Sequence, residues 1–182
     1  MKFSDESKKI LEIFSRYFFL IIVSLNSLFI FYLIFTPLTV IPVFVIMSLF
    51  FETKIFGDII LVDGIAIEFI KACIAGSAYF LLLILNLATP GISLQKRIKI
   101  VLVSFVALLT INIIRIVVLI FILFEGASLF ILAHEFFWYS MSTVFVVVIW
   151  FAQVKYFKIK EIPFYSDLKY LFKHSRKRSS KK

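Results

Sequence analysis

The stretch Glu68-Phe-Ile-Lys-Ala-Cys-Ile-Ala-Gly-Ser77 places the only cysteine of the chain, Cys73, at the start of a hydrophobic run. Small residues follow the cysteine, and it is preceded by one acidic and one basic residue. A single thiol cannot form an internal disulfide or a two-thiol redox pair. Cys73 is therefore either an inert packing residue or a nucleophile, and the surrounding sequence must decide between them.

The composition is typical of an integral membrane protein. Of the 182 residues 62% are hydrophobic and the mean hydropathy is +1.06, which is more apolar surface than a soluble domain of this size can bury. Four or five spans would use nearly all of the length. We therefore expect one membrane-embedded domain at residues 1–154, followed by a basic cytoplasmic tail at residues 155–182.

The net charge of +9 does not predict a nucleic-acid partner. Ten of the twenty Lys and Arg residues lie in the tail, after the last hydrophobic run. A basic stretch just past a span more often fixes topology or contacts anionic lipid than it binds nucleic acid.

Hydrophobic runs predict an all-α membrane protein, a polytopic helical bundle of about four spans. The predicted spans are residues 17–35, 69–87, 98–124, and from 134 or 135 to 154. The first run is interpreted as a retained span, because it is too long for a signal core and no A-x-A cleavage site follows it.

Between the first two spans the sequence predicts an outer re-entrant or interfacial helix and a small β-hairpin. Thr36-Pro37 is expected to end the first helix, and the apolar run at residues 38–51 is short for a crossing. Asp63-Gly64 lies between two apolar, β-branched runs, and this pair suits a two-residue hairpin turn.

The distribution of charge predicts a multi-pass protein of the cell membrane with both termini in the cytoplasm. Basic residues concentrate in the amino-terminal segment, in the loop marked by Lys96, Arg97 and Lys99, and in the tail, whereas acidic residues concentrate around the hairpin and after the third span. Because cytoplasmic loops are enriched in Lys and Arg, Cys73 is expected at the extracytoplasmic face.

Two interpretations of Cys73 remain open from its surroundings. At a helix amino end near a cation, a thiol is activated as a nucleophile. Alternatively, small neighbours such as Gly76 and Ser77 indicate close helix packing, in which a cysteine behaves as a small hydrophobe.

Arg115 lies inside the third predicted span. A charge in hydrocarbon costs about 2.5 to 3.5 kcal/mol on insertion scales, which favours a functional role. The alternative is a structural pair with an outer carboxylate such as Glu125 or Glu68. Asn112, three residues earlier on the same helical face, could hydrogen-bond the arginine or a substrate.

His134 is the only histidine before the tail, and it opens the last predicted span. Its imidazole could deprotonate the thiol and later protonate a leaving amine. It could equally be an interfacial histidine near Trp138, which belongs to an aromatic belt at residues 136–139. One Cys and one His fall short of a metal site, so we expect no metal.

Taken together, Ala72-Cys-Ile-Ala-Gly76, Asn112-Ile-Ile-Arg115 and His134 resemble the exosortase/archaeosortase family. The resemblance covers roughly residues 37–154 and is greatest to the short archaeal forms. The chain departs from the commoner pattern in that Ile74-Ala75-Gly76 stands where Ser-Gly often directly follows the cysteine.

The resemblance implies a membrane-embedded cysteine peptidase or transpeptidase, a hydrolase or transferase without cofactor. Its partners would be secreted proteins with a C-terminal hydrophobic sorting helix, with membrane lipid as a possible acceptor. Cys73 would be the nucleophile, His134 the general base and acid, and Arg115 the group that stabilises the oxyanion or orients the thiolate.

Two alternatives belong to other functional classes. A small transporter or channel would use Arg115 and His134 in a polar path. A non-enzymatic membrane subunit or lipid-interacting scaffold would make its contacts through the tail, and Arg115 would then have no role.

Overall fold

The computed structural model describes residues 5–25, 28–159, 161, 163 and 165–171, and excludes the side chains of residues 5–9, 25 and 138–142. In chain order the elements are α1 (Asp5–Leu25), α2 (Phe29–Met47), β1 (Thr53–Phe56), β2 (Ile59–Val62), β3 (Ile65–Glu68), α3 (Lys71–Ile74), α4 (Gly76–Leu87), α5 (Leu94–Glu125), α6 (Ala127–Ser140) and α7 (Val146–Tyr156). A π-helical turn, Met141–Phe145, joins α6 to α7, and residues 165–171 are again helical.

Helices α2 and α5 are long and apolar enough to cross a membrane. Only 28% and 33% of their most apolar windows are buried inside the protein, whereas the core helix of a soluble protein is mostly buried. The two helices therefore support membrane association. A helical architecture with two candidate spans is confirmed, and the number of four spans stays a prediction, because the other apolar helices are shorter.

The helices pack around α5. The Phe35 ring lies 5.5 Å from that of Phe105, and the Phe51 ring stacks on Phe124 at 4.7 Å. Helix α2, with the turn that follows it, thus runs in the same direction as α5.

Helices α4 and α7 run antiparallel to α5, because later residues of each helix or of its flanking turn contact earlier residues of α5. These contacts are Cys73–Asn112 and Asn86–Ser104 for α4, and Gln153–Ile100 and Phe157–Lys96 for α7. The bundle therefore alternates in direction between α4, α5 and α7.

The predicted helix end at Thr36-Pro37 is wrong, since α2 continues through Pro37 and Pro42. Residues 38–47 are the second half of α2 rather than a separate re-entrant helix. Buried residues four positions apart form one stripe along α2, from before Pro37 to after Pro42, and pack against the neighbouring helices. They are Phe31, Phe35, Thr39, Val43 and Met47. Prolines are tolerated inside apolar helices when packing of this kind holds the backbone.

The single span predicted at residues 17–35 is also wrong, because α1 ends at Leu25 and α2 begins at Phe29. Leu28 has a left-handed backbone conformation, with φ of 61°, which a continuous right-handed helix cannot contain. The polar residues Asn26 and Ser27, which interrupt the apolar run in the sequence, lie outside the described residues.

The predicted hairpin is confirmed and extended by one strand. β2 and β3 pair antiparallel around Asp63-Gly64, with Val62 opposite Ile65, and both turn residues have positive φ, 46° and 85°. β1 adds to the other side of β2 and gives the order β1-β2-β3. We call this end of the bundle the sheet end.

The opposite end, where α4 finishes and α5 begins, contains a buried polar cluster. Arg97 donates to the carbonyl oxygens of Asn86, Leu87 and Ile92 at 2.7, 2.9 and 3.3 Å. Since the last carbonyls of a helix have no intrahelical donor, Arg97 completes the hydrogen bonding at the end of α4.

A second arginine, Arg16, connects residues 165–171, which follow α7, to this cluster. Arg16 donates to both carboxylate oxygens of Asp167 at 3.1 Å and to the Thr89 carbonyl oxygen at 3.3 Å, and the Tyr17 hydroxyl also bonds Asp167. The side chains of Arg16 and Asp167 are 9% and 4% exposed. The region predicted as a tail thus packs on α1 around residue 167.

We expect Asp167→Asn to destabilise the protein by roughly 3 kcal/mol, because it leaves the buried Arg16 guanidinium without its counter-charge. The measurement is chemical unfolding in detergent micelles. The matched control is Glu135→Gln, which neutralises an exposed carboxylate. Equal losses of stability in the two variants would contradict a structural role for the Arg16–Asp167 pair.

Candidate functional site

Cys73 lies at a break between two helices, not inside a continuous span as predicted for residues 69–87. α3 contains only four residues, and Ala75 then adopts a left-handed conformation with φ of 59° before α4 starts at Gly76. A non-glycine residue in this region is strained by about 1 to 3 kcal/mol, so surrounding contacts must hold it. The break removes the Cys73 carbonyl oxygen from the regular pattern of helical hydrogen bonds.

Asn112 on α5 supplies the missing hydrogen bond. Its Nδ2 donates to the Cys73 carbonyl oxygen at 2.8 Å, and its Oδ1 accepts a bond from Arg115 Nη1 at 3.3 Å. The Asn112 side chain is fully buried. One amide therefore connects the cysteine segment to the arginine.

Arg115 is 4% exposed and has an incomplete set of partners. Its Nε is buried without a hydrogen bond, and no salt bridge to a carboxylate is formed by Arg115 within the described residues. Its guanidinium does interact electrostatically with the Cys73 thiol. Glu68 and Glu125, the carboxylates named in the alternative of a structural pair, are exposed and do not pair with it.

Tyr32 of α2 contacts the same helix break, and sequence reasoning did not identify it. A Cβ added at Gly76 would lie 2.7 Å from two ring carbons of Tyr32, so only glycine lets the ring pack here. The Lys71 ammonium lies 5.6 Å from the ring centre of Tyr32. In the sequence, only the small residue at position 76 indicated close packing here, and it did not identify Tyr32 as the partner.

His134 lies in the middle of α6, since this helix begins at Ala127 rather than near residue 134 as predicted. Its imidazole stacks on the Phe130 ring at 5.6 Å. Within the described residues, the hydrogen bonds and charge interactions of Cys73 and Arg115 do not include His134. The structure thus brings Cys73, Asn112 and Arg115 together and leaves the approach of His134 to them a prediction.

The remaining predicted site residues are Glu68, Ser77 and Trp138. Glu68 ends β3 opposite Ile59 and is exposed, and Ser77 is exposed on the first turn of α4. The side chain of Trp138 lies outside the described residues. Of the supporting residues, Asn112 and Gly76 are therefore the two whose packing shapes the surroundings of Cys73.

No three His, Cys, Asp or Glu side chains gather to hold a metal ion in the part of the chain that the structure describes. In comparison with known proteins, no family model, curated protein or solved structure matches this chain.

We expect Asn112→Leu to destabilise the protein by roughly 2–5 kcal/mol, because it leaves the Cys73 carbonyl and an Arg115 N–H buried without partners. Thermal unfolding in detergent provides the measurement. Thr110→Val, on the exposed side of α5, is the matched control and should change stability by less than about 0.5 kcal/mol. A similarly small effect at Asn112 would contradict the proposed bridge.

Proposed function

We propose that the protein is a membrane-embedded cysteine transpeptidase or endopeptidase similar to exosortases and archaeosortases. It processes C-terminal sorting signals of secreted proteins and transfers the cleaved protein to a lipid anchor or to water. Cys73 is the nucleophile, His134 the general base and acid, and Arg115 the group that stabilises the oxyanion.

The observation that carries the proposal is that Arg115 is buried and lacks a carboxylate partner within the described residues. A buried arginine without a carboxylate is costly, and a structural role would pair it. Arg115 instead lies within electrostatic range of the only thiol of the chain and retains a buried donor, Nε, without a partner in the described residues. A substrate carbonyl that becomes an oxyanion would supply the missing acceptor.

The first half of the reaction forms an acyl-enzyme. His134 takes the thiol proton, and Cys73 Sγ bonds to the scissile carbonyl carbon while the carbonyl oxygen gains negative charge beside Arg115. The tetrahedral adduct then collapses, the C–N bond breaks, and the amine leaves with the proton from His134. The product is a thioester on Cys73.

The second half releases the thioester. An amine on a lipid, or water, gives a proton to His134 and attacks the thioester carbonyl. The C–S bond breaks, and Cys73 leaves as the thiolate that His134 reprotonates. Transfer and hydrolysis therefore require the same protein groups and differ only in the acceptor.

The proposed topology places the sheet end outside the cell and both termini inside. Acidic residues predominate at the sheet end, while Lys96, Arg97 and Lys99 lie at the opposite end, as the distribution of basic residues in cytoplasmic loops requires. In this topology the crossings are α2, α4, α5 and the continuous path from α6 to α7.

We expect Cys73→Ala to abolish processing. The measurement compares the C-terminal peptides of secreted proteins, by mass spectrometry, between cells with the wild-type protein and cells with the variant. Secreted proteins that keep a C-terminal hydrophobic segment only in Cys73→Ala cells are the substrates. Thr110→Val is the control, and unchanged processing in both Cys73→Ala and Cys73→Ser cells would refute the thiol mechanism.

A general base must come within hydrogen-bond reach of the thiol, so position 134 should lie close to Cys73. We expect a short bifunctional thiol reagent to crosslink Cys73 with a cysteine at position 134 in His134→Cys. Peptide mapping after proteolysis measures the link. The control is Leu132→Cys on the exposed side of α6, and equal crosslinking of the two variants would contradict the role of His134.

A further inference from the structure

The two outer strands of the sheet have different surroundings. β1 and β2 both pack against α2, whereas the main contacts of β3 are with β2. β3 is therefore the edge strand that packs less against α2.

The register identifies the backbone groups that point outward from this edge. The two-residue turn makes Val62–Ile65 the closing hydrogen-bonded pair, so Ile60–Ile67 is the next one. The bond from the Phe69 N–H to the Asp58 carbonyl oxygen, 2.9 Å long, continues this alternation. The intervening Ala66 and Glu68 thus direct their N–H and C=O groups away from β2.

These outward groups are without partners in the described residues. No hydrogen bond from outside the sheet reaches the backbone of Ala66 or Glu68, and both residues are exposed. An open edge of this kind is a template for another strand, whose backbone satisfies the free groups.

The charge around the edge restricts the partner. The segment at residues 52–71 carries four carboxylates against Lys54 and Lys71. Glu68 is the carboxylate on β3 itself, and opposite charges facing each other across strands stabilise pairing. A strand with a basic residue opposite Glu68 complements this edge.

The edge leads directly to the candidate nucleophile. β3 ends at Glu68, and Cys73 follows five residues later at the helix break. The edge strand and the thiol therefore belong to one continuous segment of the chain.

We propose that the open edge of β3 binds an extended segment of the substrate, which carries a basic residue opposite Glu68 and adds a fourth strand to the sheet. The inference rests on the proposed function, because the bound segment presents its scissile bond to Cys73. Backbone pairing supplies alignment, and Glu68 contributes a preference in sequence.

The first test removes the donor at the edge. Ala66→Pro deletes an outward N–H, which an edge strand tolerates structurally. Ile55→Pro is the matched control, because the register also directs the N–H of Ile55 outward, on the β1 edge. We expect Ala66→Pro to slow processing of the substrates identified with Cys73→Ala by about tenfold, and Ile55→Pro to change it less than about twofold.

The second test exchanges charge and does not depend on a loss of folding. Glu68→Lys should slow processing of a substrate with a basic residue in the paired segment, and replacing that basic residue by Glu should restore it. Restored processing would establish that position 68 and the substrate residue face each other, even if Glu68→Lys alone were less stable.

The outcomes separate the two proposals. If Cys73→Ala leaves all secreted proteins processed, the proposed function is wrong and the edge inference falls with it. If Cys73→Ala blocks processing but Ala66→Pro behaves like Ile55→Pro, or no substrate change restores Glu68→Lys, the edge inference alone is wrong.

Discussion

Backbone groups in apolar surroundings must find hydrogen-bond partners within the protein, and this constraint determines the centre of the molecule. The left-handed residue at position 75 interrupts the helix after the cysteine and removes a carbonyl from the regular pattern. A fully buried asparagine on the central helix donates a hydrogen bond to this carbonyl oxygen through its side-chain amide. The same amide accepts a hydrogen bond from the arginine three residues further on, so one side chain on α5 links the cysteine segment to Arg115.

Features that depend on local chemistry were predictable from the sequence. Asp63-Gly64 specified the hairpin because both positions require positive φ, and few other residue pairs permit it. The long uniform run that forms α5 likewise determined a helix through its own composition. Asn112 and Arg115 were expected on one face because a spacing of three residues fixes this in any helix.

Features that depend on tertiary packing were not predictable. Pro37 is a helix breaker in isolation, and only the buried stripe on the opposite side explains why α2 continues through it. The interruption at Ala75 has no signal, since alanine is the best helix former. Tyr32 was one aromatic residue among many in an apolar run, and its place beside Gly76 follows from the approach of two helices that the sequence does not encode locally.

The hydrogen bonds between Arg16 and Asp167 join residues that are 151 positions apart in the chain. Synthesis proceeds from the amino end, so this contact cannot form until residue 167 has left the ribosome. Until then the amino-terminal helix lacks this partner, and the Arg16 guanidinium lacks its carboxylate. The packing of residues 165–171 on α1 therefore forms after all the elements between them have been synthesised, and a nascent chain that stops before residue 167 cannot form it.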